Sequence, residues 1–135
     1  MKLISKETRF SLDILGYEFD SAEEYYDANW LDAKIEASDQ VCSWTARDTC
    51  LLSYELGYFY DWLCSIDLHG SESKALDFME NELKIKFDAV SKSLIVVLDY
   101  KLHPKGDNFD YGENGDQPYE LSFPFSENLR KGALN

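Results

Sequence analysis

Only one long stretch of this chain has the period of an amphipathic helix, and most of its other apolar segments alternate with period two. From Asp48 or Thr49 to about Ile66 there is no proline, and Leu52, Leu56, Phe59, Leu63 and Ile66 recur at helical spacing. Asp48 suits the N-cap, because its carboxylate can accept an orphan amide of the first turn, and Gly70-Ser71 supplies the stop. One long helix (about 49–66) cannot cover both faces of a parallel sheet, so a doubly wound α/β fold is excluded.

The alternating segments read as strands. Phe10, Leu12 and Ile14 alternate with polar neighbours within 8–19, and Leu31, Ala33, Ile35 and Ala37 do so within 29–37. A third strand, around 41–46, carries Trp44. After the helix come a short strand at Ala75–Met79 and a half-wet strand over 83–89, built on Leu83, Ile85, Phe87 and Ala89. Ser91-Lys92 turns the chain into Leu94–Leu98, a continuous apolar run that predicts a central strand covered on both faces, continuing to Leu102 before Pro104. Residues 105–117 form a loop rich in Gly, Asp and Asn; Tyr119–Phe125 is the last strand, and Ser126 opens a short C-terminal helix. The expected fold class is α+β, a mainly antiparallel β-sheet of about six to seven strands packed against the one long helix. At 135 residues and 44% apolar content, the chain is expected to form a single domain spanning 1–135.

Charge restricts function further. Twenty-six acidic residues face thirteen Lys and Arg, a formal net charge of −13. Such a field repels phosphate backbones and anionic lipid and attracts cationic partners, which argues against nucleic-acid binding. The N-terminus lacks the apolar run of an export signal, and nothing approaches the roughly 18 apolar residues of a membrane helix. Cys42, Cys50 and Cys64 are odd in number and lack CxxC spacing, as expected of reduced thiols in a cytoplasmic protein.

No catalytic constellation emerges. His69 and His103 lie far apart in expected loops and read as solvated, the cysteines read as small filler residues, and phosphate-loop and nucleophile-elbow patterns are missing. The loop Asp107–Asp116 fails the EF-hand pattern in both registers: one places Phe109 and Tyr111, the other Gly112 and Leu121, where oxygen ligands belong. A weak calcium site of another geometry stays open, but no cofactor or catalytic residue is assigned and the chain reads as no enzyme. Glu55 falls inside the apolar stripe of the helix, which predicts a structural buried carboxylate bonded to neighbouring donors.

Two acidic loops stand out as a surface. Residues 18–27 hold Glu23, Glu24 and Asp27 beside Tyr25 and Tyr26; residues 107–120 hold Asp107, Asp110, Glu113 and Asp116 beside Tyr111. Rings that bury area beside carboxylates that steer a basic partner are a common interface composition, so these ten residues are the candidate partner-binding set.

Several stretches carry a resemblance. Tyr26-Asp27-Ala28-Asn29-Trp30-Leu31, then Ile35-Glu36, Trp44, Asp48-Thr49-Cys50-Leu51-Leu52-Ser53-Tyr54-Glu55-Leu56, Trp62-Leu63 and Leu76–Leu83 together resemble the WapI family of bacterial proteins, across about residues 10–103. The resemblance implies an immunity protein that binds and neutralises the C-terminal toxin domain of a cell-wall-associated or Rhs-type polymorphic toxin. Toxin domains that cleave nucleic acid tend to be basic, which agrees with the charge of this chain. The competing expectations are a small-molecule- or metal-binding module without catalysis, and a hydrolase built on acidic residues.

Overall fold

The computed structural model describes residues 1–17 and 30–134. Among the described residues, eight strands form two four-stranded antiparallel meanders. The first contains β1 (Lys2–Ile4), β2 (Arg9–Tyr17), β3 (Trp30–Ser38) and β4 (Ser43–Leu52). Helix α1 (Ser53–Ser65) then leads to the second, with β5 (Lys74–Asp77), β6 (Leu83–Asp88), β7 (Ser93–Leu98) and β8 (Tyr119–Pro124). Two short 3-10 turns, Tyr100–Leu102 and Gly106–Asn108, lie between β7 and β8, and helix α2 (Glu127–Leu134) follows β8.

Each sheet turns one face to a shared core. Phe10, Leu12, Leu31, Ala33, Ile35 and Ala37 from the first sheet join Leu83, Ile85, Phe87, Leu94, Val96, Leu98, Leu121 and Phe123 from the second in one cluster of buried side chains. The α+β class and the antiparallel pairing are therefore present, but one sheet of six or seven strands backed by a helix is replaced by two sheets face to face. Alternation reports only that a strand has one wet face, and both arrangements satisfy it. β1 is too short, at three residues, to show a period.

The helix begins later than its apolar spacing predicts. β4 continues to Leu52, which pairs with Trp30, and a register shift between Leu31 and Asp32 leaves Cys50 as the extra residue of a bulge. Cys50, Leu51 and Leu52 are consequently all buried. Leu52 stands four residues before Leu56 and so mimics a helical repeat, although it is the last residue of a strand. Asp48 lies inside β4 opposite Ala33 and caps nothing. The helix lends Phe59 and Leu63 to the core, followed by Ile66, while Leu56 and Trp62 are only partly buried.

Other boundaries move as well. β7 ends at Leu98 rather than Leu102, and Ile95 and Val97 on its outer face are half-buried, so this central strand is covered fully on one side only. Cys42 precedes β4, and Cys50 lies in that strand rather than at the helix start. At the other end of the chain, Arg130 of α2 donates from Nη2 to the Ile66 carbonyl at 2.6 Å and lies over the Phe125 ring at 5.1 Å, joining α2 to the end of α1.

Leu63→Ala is expected to cost about 2–5 kcal/mol, because it opens a cavity in a fully buried site. Leu56→Ala should cost clearly less, as read from urea midpoints; equal costs would mean that Leu56 is as deeply embedded as Leu63.

Candidate functional site

The segment from Asp99 to Asp116 carries the aromatic and acidic residues that reach the surface, and it is tightly self-bonded. Asp99 accepts the Tyr100 amide on its carboxylate at 2.9 Å and so opens the first 3-10 turn. Tyr100 has φ of 50°, a left-handed conformation costly for an aromatic residue. Its ring is stacked on Tyr111 with centroids 5.5 Å apart and planes 15° from parallel. Phe109 is buried beneath them, edge-on to Tyr111 at 5.0 Å and to His103 at 5.0 Å.

Two aspartates shape the loop beyond Phe109. Asp116 accepts the Asp110 amide at 2.8 Å on one oxygen and the Lys105 ammonium at 2.6 Å on the other. Asp110 accepts the Gly112 amide on its carboxylate at 2.9 Å and the Asp116 amide on its carbonyl at 3.0 Å. A Cβ on Gly115 would lie 2.2 Å from the Asp110 carbonyl oxygen, so the closure of this loop requires glycine there. The hydrogen bond from Lys105 holds the Asp116 carboxyl below the usual carboxylate range.

The predicted surface residues therefore separate. Asp107, Asp110, Tyr111 and Glu113 are exposed, and Tyr111 keeps 64% of its area in solvent. Asp116 is turned inward, its side chain 17% exposed and neutralised by Lys105. Glu120, counted with this loop by its charge, lies in β8 and pairs with Lys86 at 3.0 Å. Glu23, Glu24, Tyr25, Tyr26 and Asp27 fall outside the described residues. The residues flanking that segment are placed: Tyr17 pairs with Leu31 and Trp30 with Leu52, where β4 runs into α1.

The same end of the fold carries charges that loop composition does not reveal. Asp48 of β4 meets the Lys101 ammonium at 3.5 Å, and Tyr111 acts on the same lysine electrostatically. Attraction to Asp48 raises the Lys101 pKa above its ordinary value. Glu82, in the turn before β6, is pushed up to about 8, first by burial and then by its hydrogen bond with Asp48. Burial also pushes the Cys50 thiol up to about 12, leaving it inert as a nucleophile. Met79 in this turn and Tyr58 on the outer face of α1 are exposed, and Tyr54 stacks edge-on against Tyr58 at 5.7 Å. The i, i+4 spacing of two aromatic residues on the polar side of the helix is the sequence signal that marks them.

Glu55 is buried, and both of its oxygens are engaged: Oε1 accepts the Leu52 amide at 2.8 Å and Oε2 the Met79 amide at 2.8 Å. His103 is buried rather than solvated; its Nδ1 accepts the Lys105 amide at 3.1 Å, and the ring packs on Phe109 and Tyr119. Tyr119 donates to Asp39 Oδ2 at 2.5 Å and accepts from the Cys42 thiol at 3.4 Å, while Trp44 Nε1 donates to the Leu102 carbonyl at 2.9 Å. The bond to Asp39 holds the phenol protonated far above its ordinary range. Burial alone would raise the Asp39 carboxyl, but Tyr119 and the amides of Cys42 and Val41 bring it net below the ordinary value. These contacts tie the 39–42 turn and β4 of the first sheet to β8 and its preceding loop.

Chemically, the arrangement offers charge and aromatic area. Among the described residues, no group of three or more His, Cys, Asp or Glu side chains is placed to hold a metal ion, and no helix is long and apolar enough to cross a membrane. An open cleft of about 710 Å³ lies between β1 and α2, lined by Met1, Ile4, Pro124 and Leu129 among others.

A protein-family model described as the immunity protein WapI-like family matches residues 2–131. No curated protein and no solved structure matches the chain at a significant level.

Because Glu55 serves two amides, Glu55→Ala should leave two buried donors unpaired, at about 1–3 kcal/mol each. Glu55→Gln retains one acceptor oxygen and should cost about half as much. Thermal unfolding of both variants checks the order; equal and negligible shifts would show a carboxylate that contributes nothing.

Proposed function

The chain belongs to the WapI-like immunity protein family, and we propose that it neutralises a basic toxin domain by binding it through the acidic, tyrosine-bearing end of the fold. The family match carries this reading, and the net charge of −13 supplies the complementarity. Immunity of this kind requires occlusion and no chemistry of its own, so the chain acts as an inhibitor and not as an enzyme. The proposed partner is a nuclease domain, whose phosphate-binding surface must be cationic, and the proposed place of action is the cytoplasm, where such a domain meets its substrate.

The mechanism divides between charge and ring. Asp107, Asp110 and Glu113, with Glu23, Glu24 and Asp27, supply a field that raises the encounter rate by roughly 10–1,000-fold at low salt. Tyr111, with Tyr25 and Tyr26, supplies apolar area that must be rehydrated before the complex separates. Asp116 takes part only indirectly, by holding the loop in shape through Lys105 and the Asp110 amide.

The test is kinetic binding to a basic C-terminal toxin domain of the polymorphic-toxin type, the proposed cognate partner, at several ionic strengths. Neutralising Asp107, Asp110 and Glu113 together, or Glu23, Glu24 and Asp27, should lower kon and flatten its salt dependence. Tyr111→Ala should raise koff about tenfold with little change in kon. Unchanged kon and unchanged protection of toxin-expressing cells after both neutralisations would place the interface elsewhere. Binding of a small ligand with no binding of any basic domain would replace the immunity reading with a ligand-binding module.

A further inference from the structure

Three buried side-chain polar atoms among the described residues have no hydrogen-bond partner: Trp62 Nε1, Arg130 Nε and Glu82 Oε2. Only the last belongs to a carboxyl group, and an unpaired buried oxygen is costly if it carries charge. The surroundings make ionisation costlier. Strand β4 presents Asp48 and the buried Cys50; α1 presents Glu55, whose oxygens are committed to two amides; the turn itself adds Glu80. From the 3-10 turn comes the only nearby cation among the described residues, Lys101, already 3.5 Å from Asp48 and facing Tyr111. Asp99 donates its amide to the Glu82 carbonyl at 2.9 Å, while its own carboxylate accepts the Tyr100 amide. Glu82 and Asp48 thus meet as two hydrogen-bonded carboxyl groups, with the one nearby ammonium paired to Asp48, and two such groups in contact do not both ionise readily.

We propose that Glu82 keeps its proton at neutral pH and directs it to Asp48, and that this hydrogen bond latches the 78–82 turn to strand β4. As a carboxylic acid, Glu82 donates its O–H to the Asp48 carboxylate, and its other oxygen is buried without charge. When the proton leaves, the two carboxylates repel, and the turn loses its hold on β4. The same turn supplies the Met79 amide to Glu55, so the loosening extends to the start of α1. The latch also sets the charge of the acidic end, which gains one negative charge as Glu82 ionises.

The direction of the pH dependence follows. The folded chain retains a proton on Glu82 up to about pH 8, whereas the unfolded chain releases it near 4.5. The folded state therefore binds more protons between these values, and the folding constant falls as pH rises through that window, by up to about tenfold per pH unit, before levelling above it. The lowered carboxyl groups of Asp32, Asp39, Asp88 and Asp116 act in the opposite sense and only at more acidic pH.

Urea unfolding of the wild type and Glu82→Gln from pH 5 to pH 9 tests the latch. The Gln amide can still donate to Asp48 but does not titrate, so the variant should lose the fall in stability between pH 5 and 8 and be the more stable protein at pH 8. Carboxyl-carbon NMR of the wild-type protein should place the Glu82 midpoint near 8, and this reading stands even if the variant fails to fold. A Glu82 midpoint near 4.5, or equal slopes for the two proteins, would overturn the proposal without bearing on toxin binding.

Discussion

The carboxylate of Glu55 joins three parts of the fold that sequence alone leaves separate. One oxygen takes the amide of Leu52, where the first sheet ends and α1 begins; the other takes the amide of Met79, in the turn that leads into the second sheet. Because the group is buried, each bond replaces water that is no longer there, and its loss would leave a donor stranded in the core. The helix thus performs little of the backing role that its apolar stripe predicts. It acts chiefly as a strut between two sheets, with Phe59 and Leu63 in the shared core and a carboxylate locking its first turn to both sides.

The acidity of the chain is unevenly distributed. On the outer faces of both sheets acids and bases pair across strands: Arg47 with Asp32 in the first, Lys84 with Asp77 and Lys86 with Glu120 in the second. Such exposed pairs contribute little stability individually, about 0–1 kcal/mol, but they engage three bases on the sheet faces. Around β4, the 78–82 turn and the 99–116 segment, Lys101 and Lys105 are already bound to Asp48 and Asp116. The field that the proposed basic partner would meet at this end is therefore set by unpaired carboxylates, and the proposed proton on Glu82 adjusts it by one charge.

The 99–116 segment shows why loop composition alone misassigns residues. Its formula of acids, glycines and tyrosines suggests a uniformly solvated patch, yet Phe109 and His103 are buried, Asp116 is turned inward, and Tyr100 is held in a left-handed conformation against Tyr111. The interior of the loop is aromatic, and its outer surface presents Tyr111, Asp107, Asp110 and Glu113. A self-bonded platform of this kind would limit the entropy lost if the proposed partner docked there, which would favour the exposed ring as an anchor.

The sequence by itself determined the class of the fold, because period-two alternation in β2, β3 and β6 and helical spacing around Phe59 and Leu63 are local properties that each segment carries alone. Its charge and the residues shared with the WapI-like family pointed to a protein partner in the same way. Pairing between distant segments was beyond it. The existence of two sheets, the bulge at Cys50 that extends β4 to Leu52, the burial of His103 and the inward turn of Asp116 all depend on contacts across the chain that leave no periodic trace. The meeting of Glu82 with Asp48 belongs to the same class: thirty-four positions separate them. Only the packing of the 78–82 turn against β4 brings these two carboxyl groups together, and the ionisation of Glu82 depends on a neighbour that tertiary structure supplies.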